Sequence, residues 1–264
     1  MGQASYPQEA REGVSRQLWC GLFGVHLVSD VHERACDLGL ALPLGAKRRR
    51  RLERIREAGL LFVHVPKAAG MSISAALYGD QIKHASIRLS RHLDPALRTL
   101  PSFAVLRDPA ERFLSAYRYA RVGGSANNEV AEPFRTLYRD FRSIDDALDH
   151  VAAAKGPYAV DHIFRPQRWY VTDRKGRVAV DRLIAMEEIA RLPLLVPGFP
   201  SAPLPELNRS APTHAESLTR AQIARLRGLY AGDYWLWAGI GQRMRAERPS
   251  ERPALVGIEP LLAM

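Results

Sequence analysis

Two segments, LFVHVPKAAGMSIS at 61–74 and FAVLRDPAERFLSAYRY at 103–119, constrain the fold of this chain more than any others. Each reads as a short apolar strand that runs into a tight turn and then a helix, with a cation at the turn. In the first, Leu60 to Val65 form a β-rich apolar run and Pro66 closes it. Ala68, Ala69 and Gly70 then leave the backbone uncrowded. A helix starting near Met71 or Ser72 would aim its N–H groups and positive dipole end into the turn, where Lys67 adds an ammonium; phosphate or sulfate suits such a place. In the second, Phe103 to Leu106 make the strand and Arg107 ends it. Asp108 and Pro109 supply the N-cap and first helical position. Phe113, Ala116, Tyr117 and Ala120 recur at helical spacing, so one face packs and the other stays open. Ser115 lies two helical turns beyond Arg107, within reach of an anion held by that arginine.

The common nucleotide-binding patterns do not describe these segments. A Walker-type loop places its lysine after the glycines, whereas Lys67 precedes Gly70, and no GxGxxG follows a strand. The pair does resemble the sulfotransferase family, in particular the branch of carbohydrate O-sulfotransferases and their bacterial relatives. PKAAGMS at 66–72 resembles the loop that holds the 5′-phosphosulfate of 3′-phosphoadenosine 5′-phosphosulfate (PAPS), with Met71 where the family usually has Thr or Ser. RDPAERFLS at 107–115 resembles the segment that holds the 3′-phosphate. Weaker likeness runs through HIFRPQRWY at 162–170, DRLIAMEEI at 181–189, LNRS at 207–210 and LYAGDYWLW at 229–237.

The resemblance implies PAPS as sulfuryl donor, no metal, and a hydroxyl-bearing acceptor, a saccharide or glycolipid. It implies that Pro66, Lys67, Ala68, Ala69, Gly70, Met71 and Ser72 cradle the 5′ side, that Arg107 and Ser115 hold the 3′-phosphate, and that Arg209, between Asn208 and Ser210, closes over the nucleotide. Lys67 would meet the bridging oxygen and neutralise the leaving phosphate. A base near neutrality is needed for the acceptor hydroxyl, which points to histidine. His84 lies between the two segments, where the family branch carries its catalytic histidine, and His92 competes with it. His64, inside the strand run, is expected to be a packed structural residue. Arg165, Pro166, Gln167, Trp169 and Tyr170 suit either an acceptor cleft or core packing.

The expected fold is α/β: a single P-loop-like parallel sheet flanked by helices, with ligands at the carboxyl ends of its strands. Its divisions are an N-terminal helical arm at 1–57 containing two helices, a sulfotransferase domain at 58–243, and a disordered tail at 244–264. Within the domain we expect a helical region at 132–154, a strand at 178–186, a proline-rich surface loop at 193–213 and a helix capped by Thr219. The chain of 264 residues is 47% hydrophobic, enough to bury a full core. Its net charge of +10 favours anionic ligands. The basic residues are dispersed, which argues against nucleic acid; the dense run Lys47 to Arg51 is either a solvated helix face or a contact for an anionic membrane surface or polymer. Cys20 and Cys36 form no metal-ligand spacing or disulfide framework, which favours a reducing compartment, and the apolar run at 19–29 is too short to span a bilayer. Since animal members of the family it resembles are anchored in the Golgi by an N-terminal helix, the resemblance implies a bacterial cytoplasmic protein. The rival readings are a nucleotide-dependent phosphotransferase and a non-catalytic polyanion-binding protein on the same scaffold.

Overall fold

The computed structural model describes residues 17–125, 128–205 and 216–247. They form a mixed α/β structure around a three-stranded parallel sheet. Strands β1 (Leu61–Val63), β2 (Ser102–Leu106) and β5 (Arg182–Ala185) lie in the order β1-β2-β5. Leu61 pairs with Ser102 at one end and Leu106 with Ala185 at the other. All residues of β1 and β2 are buried, as expected of a parallel sheet covered on both faces. A second, two-stranded antiparallel pair, β3 (Gly124–Ser125) and β4 (Asn128–Glu129), follows the helix after β2.

Strands β1 and β5 are shorter than their apolar runs, whereas β2 extends its run by Ser102. The first run extends to Val65, but β1 is an edge strand with a single neighbour, and the ladder stops at Val63 as the chain bends toward Pro66, which has no N–H to donate. The run at 178–186 divides. Val178 bridges back to Thr172 across a turn closed by Asp173, and Met186 opens a 3-10 helix, Met186–Arg191. Asp181, between these parts, receives both the N–H and the hydroxyl of Ser102 and so fixes the register of β5 against β2.

The helices fall into two packing groups. Helices α3 (Ala46–Ala58) and α4 (Gly70–Tyr78) and the last helix, α12 (Ala231–Glu247), bury Leu52, Ile55, Ile73, Leu236 and Ile240 against the sheet. Helices α6 (Pro109–Arg121), α7 (Phe134–Arg139), α8 (Ile144–Ala153) and α11 (Arg220–Leu229) enclose a second cluster of Phe113, Tyr117, Phe134, Tyr138, Leu148 and Leu226. The α6 face of Phe113, Ala116, Tyr117 and Ala120 is buried as its spacing predicts, and Thr219 caps α11 in a reciprocal box with Gln222.

The N-terminal region departs from a simple two-helix arm. Among the described residues three α-helices precede β1: α1 at residues 17–23, α2 (Val31–Asp37) and α3. Two buried acids tie this region inward. Asp30 pairs with Arg165, and both Glu33 oxygens accept from the backbone and hydroxyl of Ser86 at the N-cap of α5 (Ile87–Leu93). The proline-rich stretch also differs from a surface loop at its start, where α10 (Leu192–Leu195) forms and Leu192, Val196 and Phe199 are buried. Helix α12 continues four residues past 243. No helix among the described residues is long and apolar enough to cross a membrane.

Candidate functional site

Strands β1 and β2 run parallel and side by side, so the turns after them emerge together at one edge of the sheet. The turn after β1 is strained. Lys67 has φ 66° and Ala69 has φ 55°, left-handed values that side chains other than glycine seldom adopt. Such alternation turns successive N–H groups toward one concavity, a geometry that suits anions. Strain of this sort persists only where the surroundings enforce it. Two contacts do so here. The buried Arg112 donates through Nε to the Pro66 carbonyl at 3.3 Å. Beneath the loop, the His64 ring fills the space where a side chain on Gly70 would go: a Cβ there would lie 1.8 Å from His64 Cδ2. Gly70 is required by close approach, and α4 starts from it.

The turn after β2 is relaxed. Asp108 accepts from the N–H groups of Ala110 (2.9 Å) and Glu111 (3.1 Å), and Pro109 takes the first helical position of α6. Arg107 is gripped through its backbone by Gln167, whose Oε1 accepts the Arg107 N–H at 3.0 Å and whose Nε2 donates to the Arg107 carbonyl at 2.8 Å. This leaves the guanidinium to project, where among the described residues it meets the exposed Glu111 carboxylate at 3.2 Å.

Lys67 and Arg107 share one neighbourhood. Burial, then the charges of Arg107 and Arg112, lower the Lys67 ammonium to about 8. Its Nζ sits 3.9 Å from the centre of the Tyr119 ring, a cation–π contact. Among the described residues it pairs with no carboxylate. Ser115 is half-buried on α6, in line with Arg112 and Tyr119 at helical spacing, so the second face of that helix carries a polar stripe. The Met71 sulfur receives Asn128 Nδ2 at 3.7 Å. Pro66 and Ala68 are buried, while Lys67, Ala69, Met71 and Ser72 are half-buried. Arg209, with Asn208 and Ser210, lies outside the described residues.

The histidines separate clearly. His84 is half-buried and its ring lies 4.2 Å from that of His64 and 5.7 Å from that of His162. Its Nδ1 faces the His64 carbonyl at 3.3 Å. A carbonyl only accepts, so Nδ1 carries the hydrogen and Nε2 holds the lone pair. Burial and the neighbouring His64 and His162 push His84 well below the ordinary histidine range. His64 is packed and hydrogen-bonded, as expected, with Nδ1 at 2.8 Å from the Ile82 carbonyl, and burial lowers it to about 4. Its place under Gly70 makes it the floor of the loop. His92 stands apart from this cluster, half-buried near the end of α5 with Nε2 3.1 Å from the Leu40 carbonyl.

Several residues here escaped the sequence reading. Arg112 is 1% exposed and also donates to the carbonyls of Ile163 and Arg165, so it staples the strained loop to residues 163–165. Asp233 was missed as well: it accepts the N–H groups of Gln167 and Arg168, each at 2.8 Å, starting α9 (Gln167–Val171). The i, i+3, i+7 stripe of Arg112, Ser115 and Tyr119 was the available signal. Arg165 and Tyr170 are fully buried, so of the two uses open to residues 165–170, packing is the one these two serve. Arg165 forms a bidentate pair with Asp30, which also lies 3.2 Å from His162 Nε2. Burial pushes the Asp30 carboxyl up, but bonds from His162 and Arg165 outweigh it and hold it low. No protein-family model, curated protein or solved structure matches this chain.

Proposed function

We propose that this protein is a PAPS-dependent sulfotransferase acting on a hydroxyl acceptor, a saccharide or glycolipid, within an α/β fold of P-loop type. The observation that carries the reading is Lys67: half-buried, beside Arg107, without a carboxylate partner among the described residues, and seated in a loop strained at residues 67 and 69. A half-buried ammonium whose one described partner is an aromatic ring is costly unless an anion completes it. Two cations on adjacent turns match a ligand with two separate anionic groups better than a single phosphate.

The donor, when bound, supplies a sulfuryl group activated by attachment to a nucleotide phosphate. The chain supplies position and charge. The 66–72 backbone and Lys67 hold the reacting end, and Lys67 neutralises the charge that develops on the leaving oxygen. Arg107 and Ser115 grip the distant phosphate, with Gln167 fixing the arginine backbone. His84, neutral at pH 7 with its lone pair on Nε2, takes the acceptor proton. Its depressed basicity restricts it to accepting that proton as the hydroxyl attacks. Arg209 is assigned to closing the nucleotide site and His92 to a secondary role as base.

Calorimetric titration with 3′-phosphoadenosine 5′-phosphate, beside ATP with Mg²⁺, tests this. The expected result is micromolar binding of the 3′-phosphorylated nucleotide, unmatched by ATP and weakened ten- to a hundredfold in Arg107→Ala, about 1.5–3 kcal/mol. Affinity should fall as pH rises through about 8, because Lys67 loses its proton there in the free protein and the anion favours the charged form. His84→Ala should retain nucleotide binding and lose turnover. A preference for ATP would move the phosphotransferase reading forward, and unaltered turnover in His84→Ala would remove its role as base.

A further inference from the structure

At the opposite end of the sheet from the 66–72 loop lies a second concentration of positive charge. Six cations, Arg88, Arg91, Arg98, Arg174, Lys175 and Arg177, line one open cavity of about 360 Å³. Its position follows from the strands. Arg91 Nη2 is 3.5 Å from the hydroxyl of Ser102, the first residue of β2, whereas the loop cations follow the last residues of β1 and β2. Arg98 ends the 3-10 helix that leads into β2, and Arg174, Lys175 and Arg177 belong to the turn that precedes β5. The length of β2 alone separates the two places by about 13 Å.

The compensating charge is small. Asp173 is the one carboxylate among the described residues lining the cavity, and much of its capacity is spent on closing its own turn: it accepts from the N–H groups of Lys175 and Arg177 and from Arg177 Nε. Asp37 reaches Arg88 at 3.7 Å. Arg88 is otherwise committed to the carbonyls of Trp169 and Thr172, and Arg174 to the carbonyl of Cys36. Arg91 Nε is buried with no hydrogen-bond partner. Buried donors are satisfied in the great majority of cases, so Arg91, which lines the cavity, keeps donor capacity that suits an acceptor there. Arg98, Arg174, Lys175 and Arg177 stand exposed around it.

We propose that this cavity is a second anion site, separate from the 66–72 loop, for a compact ligand that carries two or more phosphate or sulfate groups. One group meets the Arg91 guanidinium at the wall, and the others lie among the exposed cations of the rim. Arginine forks suit tetrahedral oxyanions of either element, so phosphate and sulfate sources share this chemistry. The proposal holds whether or not the loop binds a nucleotide.

The experiment is titration of the full chain with tripolyphosphate and, separately, with a trisulfated disaccharide. It is repeated on Arg98→Glu/Lys175→Glu, Lys175→Gln and Lys67→Ala. At least one probe should bind the parent protein, weaken on raising ionic strength, and weaken tenfold or more in the double charge reversal, about the effect of reversing two exposed charges beside a bound polyanion. Lys175→Gln, which leaves the turn bonds of Asp173 intact, should show a smaller loss in the same direction, so the test survives if the double variant folds poorly. In Lys67→Ala the component of binding that the rim variants remove should persist. The probe that binds more tightly identifies phosphate or sulfate as the source. Absence of binding by both probes, equal binding in the charge-altered variants, or loss of binding in Lys67→Ala instead would overturn the proposal.

Discussion

The turns after β1 and β2 sit side by side on neighbouring parallel strands, yet they begin their helices in opposite ways. Helix α6 starts as a stable helix should, with Asp108 accepting two N–H groups and proline at the first position. Helix α4 starts from Ala69 in a left-handed conformation, with no side-chain cap, immediately after Lys67 in another. Left-handed backbone costs about 1–2 kcal/mol at each such residue. One turn therefore spends its side chains on its own helix and presents only an arginine. The other keeps side chains out and offers backbone and an ammonium. Local stability accounts for the second segment, whereas the first needs the rest of the protein to hold it in place.

The residue that does most of the holding is Arg112, and removing it should produce the largest effect. Arg112→Met keeps the apolar stem but strands the carbonyls of Pro66, Ile163 and Arg165 and takes a cation away from the buried Asp233. Loss of one partner from a buried charged network costs about 3–5 kcal/mol. Chemical denaturation should show that drop, and a loss below 1 kcal/mol would mean that the strained turn stands without its staple. The corresponding arginine of the relaxed turn, Arg107, projects from its backbone, and Arg107→Met should leave the denaturation midpoint almost unmoved.

Gly70→Ala comes next. The added methyl would collide with His64, and that ring cannot retreat, being bonded to the Ile82 carbonyl and packed between Phe62 and His84. Overpacking of this kind costs about 1–3 kcal/mol. Nucleotide affinity should fall with stability, since relief of the clash lifts the loop off its floor. A variant as stable as the parent would show that the loop and the histidine are not in register.

These residues also mark what could be read in advance. The two strand-turn-helix units were legible because apolar runs, a proline after each strand and an Asp-Pro cap are local signals, and the buried face of α6 follows from spacing alone. The positive φ at Lys67 and Ala69 was hidden, because neither residue type advertises it and it is enforced by the distant Arg112 and by the His64 ring beneath the loop. Asp30 and Glu33 were equally hidden. They sit in what reads as a detached arm, and their partners, Arg165 and Ser86, lie far along the chain. His64 was recognised as structural from its strand position, but its role under Gly70 depends on the bend after β1. Sequence periodicity reports which face is buried and says nothing of which polar group will be found there.

The smallest expected effect discriminates most sharply between the two turns. Ala69→Gly removes a Cβ from a left-handed residue, which relieves strain, while the unfolded chain gains freedom worth somewhat less. The net should be a stabilisation of about 0.5 kcal/mol. In the relaxed turn, Asp108→Ala should instead destabilise by about 1 kcal/mol, since two N–H groups lose their acceptor. Opposite signs at equivalent positions are the signature of a turn shaped for a ligand beside a turn shaped for its helix. If Ala69→Gly stabilises but weakens nucleotide binding, the alanine stiffens the loop in its binding conformation, because glycine admits alternatives that the ligand must exclude. If Ala69→Gly destabilises, the left-handed conformation at 69 is not the one the folded chain adopts, and the contrast between the two turns fails.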